Sequence, residues 1–288
     1  MSVLFKQMTI IGVGLIGGSL ALISKRKQLV ETVVGYGRKR GGLQKAAAMG
    51  VIDRYVLTLP KAVEEADLIV LATPVGTFER ICKAIAPHLK PGAIVTDVGS
   101  VKGAWVGRME ALLPKHAFFV GGHPIAGREK SGVEAATADL FQGSRCILTP
   151  TPATDRKALK KVASLWEKAG ARVSELGPME HDQILAAVSH LPHLVAYALM
   201  ETLAHPKIAK RNPVEYSAGG LRDFTRIAGS SAEMWRDIFL LNRDAVVEMV
   251  DLYQETIEKI KKRILEEDGP GLIEIFERAK AIRQKAIQ

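Results

Sequence analysis

The sequence predicts an α/β chain in which a parallel-sheet domain is followed by an all-helical one, and three observations carry that reading. A β-branched apolar run, Met8–Ile11, meets Gly12, Gly14 and Gly17 and then Ser19-Leu20-Ala21-Leu22-Ile23. Strand-like and helix-like runs then alternate as far as Leu176. From Met179 onward that alternation stops, and apolar residues recur at three- and four-residue spacing over long stretches. Alternation implies right-handed crossovers and a mainly parallel sheet covered by helices on both faces. The later spacing gives each long helix a face that must be buried.

The glycine run is a strand, a tight turn and a helix start, the setting in which G-x-G-x-x-G means dinucleotide binding. Gly12 permits the turn, Gly14 lets the backbone approach a pyrophosphate, and Gly17 lets the helix pack close to the strand. The helix opening at Leu15-Ile16 then offers N–H groups and a partial positive charge to phosphate. The expected fold class is therefore a Rossmann-type domain with an all-α helical dimerisation domain after it.

Element by element, strands are expected at Met8–Ile11, Thr32–Tyr36, Leu68–Ala72, Ile94–Asp97, Ala117–Gly121, Arg145–Thr149 and Ala171–Leu176. Helices are expected between several of them, including Gly42–Met49, Gly76–Ala86, Val101–Leu113 and Asp155–Ala169. The boundary falls at Gly177-Pro178, giving domains 1–177 and 178–288. Helices Glu180–Thr202, Ser217–Ile227, Ala232–Leu265 and Leu272–Gln288 follow. So many amphipathic helices in so short a domain bury their faces most simply against a second copy, hence a homodimer.

Composition narrows the function classes. The 288 residues are 47% hydrophobic and 25% charged, as in an ordinary globular protein. No run of uninterrupted apolar residues approaches the ~18 a membrane helix needs, so no membrane partner is expected. The net charge is +9, yet aromatics are only 6% and the basic residues are scattered. That pattern suits a surface that attracts small anionic substrates better than one that binds nucleic acid. Cys82 and Cys146 lack metal-type spacing and are expected to be buried thiols in a cytoplasmic protein, a disulfide remaining open.

The end of the second strand decides which cofactor is read. An NAD site usually places an acid about 20 residues beyond the fingerprint. Here Gly37 is followed by Arg38, Lys39 and Arg40, which leans towards NADP because no carboxylate would repel a 2′-phosphate. Arg38 stacked on adenine would leave NAD acceptable, so NAD(P) stands as the cofactor. Thr73 and Pro74 end another strand beside the same cleft.

Candidate chemistry lies where strands end, because open parallel sheets bind ligands beyond their carboxyl edges. Gly121-Gly122-His123-Pro124 places one histidine between glycines and a proline, suited to general acid/base work or else a bland surface-loop residue. Ser100 either hydrogen-bonds the same substrate group or caps the helix Val101–Leu113. His190 and His193 share one helix face, with no third ligand nearby for a metal. Asp223 and Arg226 are also three apart, so the carboxylate would hold a guanidinium whose fork fits another carboxylate.

Together, Gly12–Ser19, Asp97-Val-Gly-Ser-Val-Lys102, Gly122-His-Pro-Ile-Ala-Gly127, Ser189-His-Leu-Pro-His193 and Arg222-Asp-Phe-Thr-Arg-Ile-Ala228 resemble the prephenate and arogenate dehydrogenase family of tyrosine biosynthesis. The resemblance implies oxidative decarboxylation of prephenate to 4-hydroxyphenylpyruvate, or of arogenate to tyrosine. It implies that His123 takes the hydroxyl proton, that Ser100 shares that hydroxyl and steadies His123, and that Arg226, oriented by Asp223, binds a substrate carboxylate. It places His190 and His193 along the cleft, implies a homodimer through the helical domain, and implies a monofunctional form. Two other readings compete. A β-hydroxyacid dehydrogenase would need a catalytic lysine in the helical domain, which Ser189–His193 does not offer. A nucleotide-sensing protein would bind cofactor without turnover.

Overall fold

The computed structural model describes residues 3–127, 132–205 and 212–287. Nine strands are described: β1 Phe5–Ile11, β2 Val30–Tyr36, β3 Arg54–Val56, β4 Leu68–Leu71, β5 Ile94–Asp97, β6 Phe118–Val120, β7 Gly122–Ile125, β8 Arg145–Leu148 and β9 Arg172–Glu175. The helices among them are α1 Leu15–Arg26, α2 Arg40–Ala48, α3 Leu59–Val63, α4 Phe78–Ile85, α5 Val106–Leu112 and α6 Arg156–Lys168. Then follow α7 Pro178–Leu185, α8 Leu191–Leu203, α9 Gly219–Thr225, α10 Ala232–Leu241, α11 Arg243–Leu265 and α12 Gly269–Ile287.

Strands β1 to β6 form one sheet in the order β3-β2-β1-β4-β5-β6, with every pair parallel. This is the doubly wound order of dinucleotide-binding domains, with its reversal point between β1 and β4. The period of two sorts the strand residues between two cores. Ile10, Leu68, Val70 and Ile94 face the cluster containing Leu20, Val162 and Trp166. Ile11, Ile69, Leu71 and Val95 face the one containing Phe78, Met109 and Trp235.

The glycine turn matches its expected physics. Gly12 has φ +102°, and a Cβ there would lie 2.6 Å from the Ala72 carbonyl oxygen. A Cβ on Gly17 would lie equally close to the Gly12 carbonyl oxygen, which is why the helix can approach the strand only with glycine there.

Several expectations need correction. The strand-like runs do not all join one sheet: β7 pairs antiparallel with β8, and β8 parallel with β9, in a separate three-stranded sheet. His123 therefore lies on a strand, opposite Ile147, rather than on a loop. Ser100 does not cap a helix, since α5 starts only at Val106 after a turn. The expected helix Ala232–Leu265 breaks at Asn242, whose side chain is committed to hydrogen bonds elsewhere. Gln288, the expected end of the last helix, lies outside the described residues.

The chain forms two compact units, Met1–Arg243 and Asp244–Gln288. Helices α7 to α10 thus share a unit with the sheets. Helices α7 and α8 are joined by a π-helical turn, Ala186–His190. The resulting helix, Pro178–Leu203, is long and apolar enough to cross a membrane by length and composition, but His181, Asp182 and His190 on it are buried within the protein. Its Met179, Ile184 and Val188 are exposed, and in the second unit so are Leu252, Ile264 and Phe276. Cys82 and Cys146 are free and buried, and burial pushes both thiols up, Cys82 to about 12.

Candidate active site

The carboxyl edge of the main sheet supplies the first layer of the site. Gly14, the residue before α1, has open space where a Cβ would stand, and the first turn of α1 carries neither an acid nor a side-chain cap. A helix N-terminus left open in this way fits a dinucleotide pyrophosphate. Leu15 and Ile16 begin that turn, and Thr73 and Pro74 follow β4, with the Thr73 hydroxyl 2.7 Å from that of Thr77. Arg38, Lys39 and Arg40 are all exposed beyond β2.

At the end of β5, Asp97 is buried and fully engaged. Its Oδ2 accepts from the Gly99 N–H (2.8 Å) and from Lys102 Nζ (2.5 Å), and its Oδ1 accepts from the Gly122 N–H (3.1 Å). Lys102 Nζ also donates to the Gly99 carbonyl at 2.8 Å. With 1% exposure, this lysine is a scaffold for two loops and offers nothing to solvent. Removing one partner of such a buried pair costs about 3–5 kcal/mol, since a charge is left uncompensated.

The second layer comes from α7. Asp182 accepts the backbone N–H of Lys102 on Oδ1 (2.8 Å) and that of Gly103 on Oδ2 (2.7 Å). The neighbouring His181 is fully buried, with Nδ1 2.7 Å from Asp182 Oδ1 and Nε2 2.9 Å from His123 Nδ1. Burial, reinforced by the charge of Lys102, holds His123 well below the usual histidine range, so its ring is neutral.

Asn242 ties this layer to His190. Its Nδ2 donates to the Asp182 carbonyl at 2.8 Å and lies 3.1 Å from His190 Nδ1. His190 is 1% exposed and meets Trp235 edge-on, so it is packed inside the protein instead of lining an open cleft as expected. His193 is half-buried, stacks on Trp235 at 3.7 Å between ring centroids, and hydrogen-bonds the Ser189 carbonyl. Arg226 opens a short 3-10 turn after α9, and its charge helps burial to lower the pKa of His193.

The structure thus brings His123, His190, His193 and Arg226 into one neighbourhood. Two expected contacts are not made. The group holding the His123 ring is His181, and Ser100 is half-buried beside Asp97 without a hydrogen bond to His123. Asp223 is exposed and makes no ion pair with Arg226 among the described residues, because α9 ends between them at Thr225. Sequence reasoning missed His181, Asp182, Lys102 and Asn242. A signal existed for the first two: His181 and Leu185, and Asp182 and Ala186, are each four apart, which sets the polar pair on an apolar helix face.

Burial lowers His190 from 6.5 to about 4, so the folded protein keeps it neutral where the unfolded chain would protonate it. This term leaves stability unaffected above about pH 6.5 and erodes it as pH falls towards 4, by up to about 3 kcal/mol. Urea melts at about pH 7 and pH 4 should show a smaller acid loss in His190→Gln than in the parent. Equal losses would remove His190 as the acid-sensitive group.

Comparison with known proteins shows the family and agrees with the fold. The profile described as prephenate dehydrogenase, nucleotide-binding domain, matches residues 20–175, and that described as prephenate dehydrogenase, dimerization domain, matches residues 177–278. A cyclohexadienyl dehydrogenase from Zymomonas mobilis is 37% identical over 280 residues, covering 97% of this chain and 95% of its own length. The crystal structure of prephenate dehydrogenase from Aquifex aeolicus, in complex with hydroxyphenyl propionate and NAD+, superimposes with TM-score 0.94 at 40% identity and 99% coverage of both chains. Synechocystis arogenate dehydrogenase does so with TM-score 0.82 at 30% identity, over 97% of this chain and 99% of its own. With a doubly wound nucleotide-binding domain, a buried neutral histidine beyond its sheet and both profiles matched in order, the chain belongs to the prephenate dehydrogenase family.

Proposed function

We propose that this protein oxidises and decarboxylates a cyclohexadienol dicarboxylate, prephenate or arogenate, using NAD(P). The observation that carries the proposal is His123. It is buried, neutral and held by another side chain through Nδ1, which suits a base that collects a hydroxyl proton. When bound, the nicotinamide accepts hydride from the ring carbon bearing that hydroxyl. His123 takes the hydroxyl proton, and loss of carbon dioxide makes the ring aromatic, so the residues need only orient the substrate and hold one proton.

Ser100, half-buried on the loop after Asp97, would share the hydroxyl. Arg226 would bind a substrate carboxylate with His193 beside it, Asp223 lying one turn earlier on the exposed surface. Gly12, Gly14, Leu15, Ile16, Gly17, Thr73 and Pro74 would hold the dinucleotide. The exposed Arg38 and the absence of an acid from residues 37–40 support a preference for NADP. Residues 1–177 would form the dinucleotide-binding domain and 178–288 the substrate-binding and dimerisation domain of a cytoplasmic homodimer. The exposed apolar residues of α11 and α12 support that last assignment.

His123→Asn should lower kcat by roughly 10²–10⁴ with cofactor affinity nearly intact; near-normal turnover would take His123 out of the mechanism. Arg226→Ala should raise KM by roughly 30- to 150-fold, matching a charge-assisted contact of about 2–3 kcal/mol, with kcat much less affected. An unchanged KM would place the carboxylate elsewhere. Steady-state turnover of prephenate and arogenate, each with NAD and NADP, tests the whole reading. Turnover with NADP should exceed that with NAD, and Arg38→Glu should reverse the ratio. Cofactor binding without turnover in all four mixtures would leave a nucleotide sensor.

A further inference from the structure

His181 and Asp182 have no part in the chemistry above, yet they form the only side-chain hydrogen-bonded path from His123 into the protein among the described residues. The donors along that path are forced. Asp182 receives two backbone N–H groups, from Lys102 and Gly103, and neither proton can be surrendered. Its carboxylate therefore acts as an acceptor, and His181 Nδ1, 2.7 Å from Oδ1, must be the donor. Burial keeps His181 neutral, so its Nε2 carries the lone pair. His123 Nδ1, 2.9 Å away, must then donate to it. A neutral imidazole has one N–H, and here it is spent on His181, which leaves His123 Nε2 bare.

We infer that Asp182 and His181 are positioning residues, forming a two-link relay that holds His123 in the tautomer with a free Nε2 and stabilises the cation formed when Nε2 is protonated. This rests on the reading of His123 as the base. In the step, the substrate O–H bond breaks and Nε2–H forms. The oxygen electron pair closes the carbonyl as hydride departs to the nicotinamide. No proton passes beyond His123. The Nδ1–H stays in place, and its hydrogen bond to His181, backed by the Asp182 charge, strengthens as the ring becomes positive. The charged and titratable groups around the two rings are Asp97 from the end of β5, Lys102 from the loop after it, and Asp182 and His190 from the long helix.

The sequence would bear the device for a physical reason. A histidine whose second nitrogen has no fixed hydrogen-bond partner has no fixed tautomer, because the ring can flip or reprotonate. Here the first link of the relay is anchored to two main-chain N–H groups of the loop that carries Ser100, so base and loop are aligned by one carboxylate.

Two variants and one spectrum test this in the full-length protein, with the substrate and cofactor that turn over best. His181→Leu removes the acceptor for His123 Nδ1. It should lower kcat roughly 100-fold with KM and cofactor affinity within a few-fold, and move the acid limb of the kcat profile to lower pH. His181→Gln keeps an acceptor oxygen near the same place and should recover most of the lost kcat. If Leu and Gln are equally impaired, or KM and cofactor affinity fall in step with kcat, His181 is a packing residue and the relay is wrong. The ¹⁵N spectrum of the unsubstituted protein provides a check that needs no variant to fold. It should show His123 protonated on Nδ1 and bare on Nε2, and the opposite tautomer overturns the relay. His123→Asn separates the two readings, because unimpaired turnover there refutes the base itself, whereas impairment there with normal His181→Leu refutes only the relay.

Discussion

One buried carboxylate organises the site. Asp182, at the start of the long helix, holds the main-chain N–H groups of Lys102 and Gly103 and the ring of His181 at the same time. Through these contacts the helix is joined to the loop after β5, and through His181 to the strand that carries His123. Side chains so deep in the protein interact strongly because the surroundings are poorly polarisable, and an unsatisfied member would be costly. Both carboxylate oxygens of Asp182 and both ring nitrogens of His181 accordingly have partners. The same arrangement explains why the compact unit runs on to Arg243 and does not stop at the last strand.

Below Asp182 lies a second buried constraint, the Asp97–Lys102 pair. Asp97 also receives the Gly99 and Gly122 N–H groups, so the β5 loop and the entry to β7 share one anchor. A fully buried ion pair contributes little net stability, but it fixes geometry, since any shift exposes a charge to an apolar surround. His123 begins one residue beyond that anchor. Its position is thus set from β5 on one side and its ring from α7 on the other. Rigid support from two elements is what the proposed role of His123 as proton acceptor would need, because a displacement of about 1 Å is enough to lose most of such a group's effect.

How much could be read beforehand differs between fold and site. The parallel sheet, the glycine turn and the helical second half were legible, because period-2 and period-3.6 patterns and glycine at a positive φ are local properties of the chain. The antiparallel β7 was not. Gly122-His-Pro-Ile is too short and too mixed to show a strand pattern, and it becomes one only by pairing with β8, which lies more than twenty residues on. The break at Asn242 was hidden for the same reason. Its neighbours are good helix formers, and what ends the helix is a side chain drawn to the Asp182 carbonyl and His190.

The spaced motifs singled out His123, Ser100, His190, His193 and Arg226, and the structure brings four of these, all but Ser100, into one neighbourhood. Their motifs specify the family and hence the chemistry. The partners of those residues were not found, because a hydrogen bond between positions 123 and 181, or 102 and 182, leaves no mark on local spacing. Asp223 was paired with Arg226 by helical spacing alone, and the change from α9 to a 3-10 turn dissolves that pair. The sequence by itself determined the fold class and the glycine turn, and singled out the histidine proposed here as the base, all from short-range pattern. Only the tertiary structure decided which groups hold that histidine, since tautomer and pKa are set by what burial brings within 3 Å from distant parts of the chain.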